Sequence, residues 1–371
     1  MNPSRKNSKI YPKILVVNVK LNSTVVCVYE GEENIFADTI WYSNQEMRNY
    51  ITIEDQISLR IESVEQLLKN KRVYFDEIEG LVCRGFIVDK ACSGTYVIDG
   101  NLYVALNYED LTQRFNESKC LFTEPLLAYE LCKKHNVSGY MVTTVNIDEM
   151  ISQAKITGMK GIERDSFFNA LTQKTVAKRF CKHHNKKYEK TNLIVAYLGN
   201  RMTIAAHKMG RVIEVNNTSE GEGPFSPERT GNLPMRELVK MCFSGNYIYE
   251  ELKEIVQSRG GCTAYFGYKD FKVLMENVQK GDEMSKVVFD AMAYNICKEI
   301  AKCAIALEGQ VYSIILTGRI AHSKIMVENI RNRVSSLAGV HVYAGKEEIT
   351  NLVEEVLQVL RGEEKEIIYK G

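Results

Sequence analysis

The sequence has no apolar run long enough to cross a bilayer, no C-x-x-C pair among its ten cysteines, and a net charge of only +1 over 371 residues. Each absence excludes something. Without about twenty consecutive apolar residues there is no helix to span a membrane. The cysteines (27, 83, 92, 120, 132, 181, 242, 262, 297, 303) are scattered, so they read as reduced thiols filling cores rather than as disulfides or a zinc site. Near neutrality argues against a general nucleic-acid or membrane-surface binder. The opening MNPSRKNSKIYPK is basic and polar, with no apolar segment before a small-residue cleavage site. It does not read as a secretory signal, and a cytoplasmic location is expected.

What is present is the composition of a globular protein, with 45% hydrophobic and 26% charged residues. A single core stops growing at roughly 250–300 residues, so two domains are expected. The one basic cluster, KRFCKHHNKKYEK (178–190), reads as the wet end of a helix running into an interdomain connection. His183 and His184 are adjacent and would point about 100° apart on a helix, so they cannot share a metal.

Two stretches share a plan. KILVVNVKLNSTVVCVYEGEENIFADTI (13–40) alternates strand, turn, strand, turn, strand, and LIVAYLGNRMTIAAHKMGRVIEVN (193–216) does the same about 180 residues later. Each is followed by helices and further strands, which points to two similar α/β domains. FFNALTQKTVAKRFCKHH (167–184) has helical spacing and is expected to bridge them, and 283–309 reads as a long buried helix ended by Gly309. VYSIILTGRIAHS is a buried strand running into Gly318 and then a helix, whose N-terminus could face a phosphate. An ordinary βα turn, with glycine there for steric reasons, fits that segment equally. GEGPFSPERTGNLP (221–234) holds three of the six prolines and three glycines, so its stiff backbone is expected to display Glu228 and Arg229.

Duplicated three-stranded openings followed by βα units resemble the superfamily of sugar and carboxylate kinases, actin and heat-shock ATPases. More specifically, VNNTSEGEGPFSPERTGNLP, SRGGCTAYFGYKD (258–270), ILTGRIAHS (315–323), VYAGKEEI (342–349) and VLRGEE (359–364) are very similar, in order, to the butyrate kinases, relatives of acetate kinase. The resemblance runs from about residue 13 to the C-terminus. It implies two ribonuclease-H-like α/β domains of the actin-like ATPase and acetate kinase type with an interdomain cleft. The domains are expected at 13–165, completed by 350–371, and at 166–349. The implied chemistry moves the γ-phosphoryl of ATP, with Mg2+, to a short-chain carboxylate, giving an acyl phosphate. Positioning and charge neutralisation carry most of such a reaction. The implied partners are a short-chain carboxylate or other small anion and a homo-oligomer, or a mixed assembly with an active butyrate kinase.

Carried over residue by residue, Arg84 and Arg229 stand where the family has its phosphate- or carboxylate-binding and transfer-steadying arginines, and Glu348 where it has the acid near magnesium. Asn18, Ser23 and Thr24 keep the polar groups of the first hairpin, Gly199 and Gly318 also remain, and Asn200 and Thr317 stand with them as the expected cofactor-binding residues of the second domain. Other positions depart. The family's N-P-G-S-T-S-T-K turn is Asn18-Val19-Lys20-Leu21-Asn22-Ser23-Thr24-Val25, and its triple glycine is Asn200-Arg201-Met202. Phe122, Asn169 and Thr143 stand in place of two His and an Asp, and Arg319 in place of a glycine. Bulky and cationic side chains are therefore expected to crowd both turns. One lost donor to a developing charge costs roughly 10²–10³ in rate, and one acid–base group roughly 10²–10⁴. A degenerate, ligand- or partner-binding paralogue with weak or no activity is the expectation, set against an active short-chain carboxylate kinase.

Overall fold

A computed structural model describes residues 11–43, 45, 52–85, 93–106, 119–145, 147–345 and 348–370, with backbone only at 119–122. Two compact units emerge, Met1–Asn146 with Glu347–Gly371, and Ile147–Lys346.

In the first unit, β1 (Lys13–Lys20), β2 (Ser23–Glu30) and β3 (Glu33–Trp41) form an antiparallel meander with two-residue connections. Helix α1 (Ile53–Asn70), β4 (Gly80–Gly85), β5 (Thr95–Val97), α2 (Lys119–His135) and β6 (Gly139–Thr143) follow. The sheet order is β3-β2-β1-β4-β6-β5, with β1, β4 and β6 parallel. Ile14, Leu15, Val16 and Val17 have no exposure, as an unbroken apolar run in a strand covered on both faces requires. A C-terminal helix, Glu348–Leu360, packs on β1 and β4.

The second unit repeats the plan. After α3 (Ala170–His183) come β7 (Asn192–Tyr197), β8 (Thr203–Lys208) and β9 (Arg211–Val215), then α4 (Glu283–Ala306), β10 (Ser313–Thr317), α5 (Lys324–Val334) and β11 (Gly339–Tyr343). Its order is β11-β10-β7-β8-β9, with β10 parallel to both β7 and β11. In each unit the meander's first strand thus pairs with a parallel strand, which is the α/β architecture expected from the repeated opening. Helix α4 starts at Asp282, whose carboxylate accepts the Ser285 N–H at 2.7 Å, and ends before Gly309 at φ +75°. Among the described residues the cysteines are free thiols, all buried except Cys242, and no helix is long and apolar enough to cross a membrane.

Two expectations shift. The unit boundary falls at 146/147 rather than near 165, because Ile147, Met150 and Ala154 bury their side chains with Phe168, Ala205 and Val215. Helix α3 lies inside the second unit, with Val176, Ala177 and Phe180 packed on Leu193, Val195 and Ile315. An apolar helical face says only that something covers it, and here the sheet does.

Arg60 is a buried cation on the inner face of α1, 1% exposed. Its guanidinium donates to the carbonyls of Lys20 (3.1 Å), Leu21 (3.0 Å) and Ser23 (3.0 Å) and to Thr24 Oγ1 (2.6 Å), with the Tyr42 ring 4.7 Å away. It therefore ties the β1–β2 turn to the helix. Arg60→Ala strands those acceptors and is expected to lower unfolding free energy by about 3 kcal/mol or more, read from the urea midpoint. Arg60→Lys recovers only part, because an ammonium cannot reproduce the planar fork.

His207 on β8 is fully buried between Tyr188 Oη (2.8 Å) and Gln173 Oε1 (3.1 Å). Burial, and then the nearby Lys174 charge, pushes its pKa from 6.5 down to about 3. Below the unfolded value the unfolded chain takes up a proton that the folded ring refuses. This contribution is therefore full above 6.5 and is lost as pH falls toward 3. The slope approaches about 1.4 kcal/mol per pH unit. Urea midpoints at about pH 7 and about pH 5 should separate in the native chain by more than in His207→Gln.

Candidate functional site

In the first unit the ends of β1 and β4 lie side by side, and α2 delivers Glu124 between them. Its carboxylate has no exposure. It accepts the Val19 N–H (2.9 Å), the Arg84 N–H (2.6 Å), and Arg84 Nε (3.2 Å) and Nη2 (3.1 Å). Burial pushes the Glu124 pKa up to about 7, with the Arg84 guanidinium and the two backbone N–H groups pulling the other way. Arg84 also donates from Nη2 to Val19 O at 3.0 Å, and its Nη1 lies 3.7 Å from Glu348. Two expected site residues, Arg84 and Glu348, are thus brought together, and the first is engaged by a carboxylate that sequence reasoning did not single out. The only signal was an acid within the apolar stretch TEPLLAYEL.

The rest of this hairpin is committed inward. Thr24 has no exposure, and its Oγ1 accepts from Arg60 and pairs with Tyr42 Oη at 3.2 Å. Ser23 is 2% exposed and gives its carbonyl to Arg60. The turn points three carbonyls at a guanidinium, so on that side it is a cation cradle. Asn18 is 4% exposed with Oδ1 unpartnered. Lys20 is exposed at the strand end, and Leu21 is 72% exposed. The turn is closed from inside by Arg60 and not by the bulk of Lys20.

In the second unit the turn after β7 behaves differently from the crowding expected. Leu198 and Met202 point into the core, 0% and 1% exposed, so Met202 fills space below the turn instead of blocking it. Gly199 and Asn200 line a cavity of about 840 Å³. Lys269, Lys272, Arg319 and Lys324 supply positive charge around it, and Phe271, Met275 and Ile320 an apolar wall. That combination suits a flat apolar group carrying an anionic tail. Asn200 donates through Nδ2 to Glu228 Oε2 at 3.3 Å, while its carbonyl accepts the Ser226 hydroxyl.

Gly318 follows β10 at φ +88°, ψ 173°, and a Cβ there would lie 2.4 Å from Leu198 O. Its glycine is required by the neighbouring strand end, where Leu198 N–H donates to Thr317 O (2.8 Å) and Ile320 N–H to Leu198 O (3.0 Å). Thr317 is 1% exposed and spends its hydroxyl on Tyr343 O at 2.8 Å. The helix does not open at Gly318: a short turn, Arg319–His322, intervenes, and α5 starts under the Ser323 cap. Gly318 and Thr317 are thus strand-joining residues that precede Arg319 of the cavity wall in the chain.

Arg229 is not displayed by its stiff loop. It is 6% exposed, with Nη1 donating to Thr218 O and Nε unpartnered. Burial, and then the Arg201 charge, lowers its pKa to about 10, with Glu228 opposing. The loop closes through Ser226 N–H to Arg229 O and Arg229 N–H to Ser226 Oγ, each 3.1 Å. Gly260 and Gly261 back onto it so closely that Cβ atoms would meet Thr230 N at 2.3 Å and Ser226 O at 1.7 Å. That packing explains the glycine pair in SRGGCTAYFGYKD.

Of the departing positions, Asn169 accepts the Thr203 hydroxyl at 3.1 Å, and Thr143 Oγ1 pairs with the Gly94 backbone. The Phe122 side chain lies outside the described residues. No three His, Cys, Asp or Glu side chains among the described residues cluster to hold a metal. Magnesium arriving with nucleotide phosphates needs only one or two protein carboxylates. Glu348, 45% exposed, fits that need, with Arg84 as its competitor.

Gly318→Ala separates the steric from the ligand role. The backbone region is almost glycine-only, and a shift of Leu198 comes on top. Unfolding free energy should fall by at least about 1–3 kcal/mol without any ligand, measured by urea denaturation. An unchanged midpoint would contradict the steric assignment.

The Acetokinase family profile matches residues 153–360. Butyrate kinase 1 of Clostridium acetobutylicum is 38% identical over 358 residues, 96% of this chain and 99% of that protein. Among solved structures, acetate kinase from Porphyromonas gingivalis superposes with a TM-score of 0.79 at 15% identity, over 94% of this chain and 99% of that one. A propionate kinase from Francisella tularensis gives 0.73 at 14%, over 92% and 98%. The fold is thus that of the acetate kinases, and with so extended a likeness to a butyrate kinase the chain belongs to the acetokinase family of carboxylate kinases.

Proposed function

We propose that this chain is a short-chain carboxylate kinase in its ligands, taking ATP with Mg2+ and butanoate or a similar acid toward an acyl phosphate, with turnover far below that of an intact member. The observation that carries this is Arg84, which faces the exposed acid Glu348 on one side and is closed by Glu124 on the other. The first contact keeps an arginine beside an acid, the pair of groups that phosphoryl transfer uses for phosphate and metal. The second fills the guanidinium fork with a fixed carboxylate. The cavity at Gly199 and Asn200 supports nucleotide binding, since its lysines suit phosphates and its apolar wall suits a base. In this reading Arg229 steadies the transferring group, Asn18 Oδ1 offers an acceptor at the end of β1, and Glu348 takes part in holding magnesium. The turn of β1 and β2 is held from its carbonyl side by Arg60.

Trapping acyl phosphate as hydroxamate, with ATP, magnesium and a panel of short acids, tests this against a butyrate kinase assayed alongside. A rate lower by at least about 10²-fold is expected, since one misplaced charge-stabilising donor alone has that effect. Arg229→Ala should remove what remains. Equal rates would overturn slow transfer in favour of the second reading, a fully active butyrate kinase, which the length of the likeness to Butyrate kinase 1 favours. Absence of both turnover and calorimetric ATP binding would overturn the ligand set. We place the protein in the cytoplasm as a homo-oligomer, or as a partner-binding paralogue mixed with an active kinase. Sedimentation alone and in mixture checks the assembly: unchanged boundaries in both would remove it.

A further inference from the structure

A fully buried carboxylate that accepts two backbone N–H groups and two guanidinium N–H groups is what a small oxyanion binding site looks like when occupied. Here the occupant is attached to the protein. We propose that Glu124 is a tethered ligand, filling a carboxylate site built by the ends of β1 and β4 and so keeping free small anions from Arg84. The inference stands apart from any kinase activity, because it concerns who occupies the site and not what is transferred.

Three features carry it. The donors come from two parallel strands, Val19 on β1 and Arg84 on β4, so they converge by sheet geometry and would remain without Glu124. They are nearly sealed: Val19 is 1% exposed, the Glu124 side chain 0% and the Arg84 side chain 18%. Of the two carboxylates beside Arg84, Glu124 is fully buried and meets both Nε and Nη2, whereas Glu348 is 45% exposed and 3.7 Å from Nη1. An emptied site would hold a guanidinium deprived of its buried carboxylate and two backbone N–H groups deprived of that acceptor, which is unfavourable in proportion to burial. Truncation of Glu124 to Ala removes a CH2–COO⁻ group, so the void has the dimensions of acetate.

The experiment is chemical rescue of folding. Glu124→Ala should melt well below the native chain in chloride buffer. Added sodium acetate should raise its melting temperature saturably by several degrees, as binding to the folded state alone requires. Inorganic phosphate, tried in parallel, distinguishes a general oxyanion site from one shaped for carboxylate, and a saturable rise with either supports the proposal. The native chain and Glu124→Gln, in which the space stays filled, should respond to acetate no more than to chloride, and Arg84→Met combined with Glu124→Ala should lose the rescue. If Glu124→Ala is too unstable to purify, refolding yield in acetate against chloride reads the same effect. A response equal in the native chain and the Ala variant, or folding helped by neither anion, overturns the tethered-ligand assignment. Melting and refolding are read without nucleotide, so this outcome is independent of the hydroxamate assay.

Discussion

Two strand ends meeting a charge govern the first unit. Parallel strands that stop together leave backbone N–H groups with no partner in the sheet, and those groups must be satisfied. At β1 and β4 they are satisfied by the buried carboxylate of Glu124, and the same carboxylate holds the Arg84 guanidinium. Removing an acid from water is expensive, and here burial raises its pKa toward neutrality. The arrangement persists because one side chain answers several unmet donors at once. Helix α2, β1, β4 and, through Glu348, the start of the C-terminal helix are thereby tied to one point.

The adjoining hairpin obeys the opposite electrostatic rule. Arg60 draws in the carbonyls of residues 20, 21 and 23, so the backbone there presents its negative ends inward. A loop that binds phosphate must present N–H groups and allow close approach. Lys20 and Leu21 fit the carbonyl arrangement without strain, since neither needs φ > 0. The departure from the family's glycine-containing turn is therefore coherent with its surroundings: a buried cation has taken over the organisation of the turn.

Much of the fold was legible because it depends on period and repetition. The two meanders show as alternating apolar runs, and the long helix ending before Gly309 shows as an apolar segment with a stop signal. Boundaries were less legible, since 147–165 carries little pattern and joins the second unit through long-range packing and polar contacts such as Ile151 N–H to Ile213 O and Arg164 to Glu222. At the site, residue identity could be carried over but orientation could not. Met202 reads as an obstruction in a turn, yet its side chain turns down into the core. Arg229 reads as displayed by a rigid loop, yet it is buried. Glu124 and Arg60 were invisible for a related reason: one charged residue on an apolar face reads as solvent-exposed, and only long-range contacts disclose that it is paired.

The two units answer an excess of positive charge in different ways. In the second, Arg229 is buried, Arg201 bears on it with like charge, and its pKa falls to about 10. Glu228 opposes, but it also accepts from Asn200 and lies 3.8 Å from Lys269, so its one charge is shared. The adjoining cavity adds Lys272, Arg319 and Lys324. Like charges gathered around an open space are unfavourable in the absence of an anion and favourable with one, and that difference is binding free energy. In the first unit the corresponding imbalance is removed within the chain by Glu124. A polyanion therefore gains more by entering the second unit, where Asp270 and Glu228 offset only part of the positive charge around the cavity, than the first, where Glu124 already occupies Arg84.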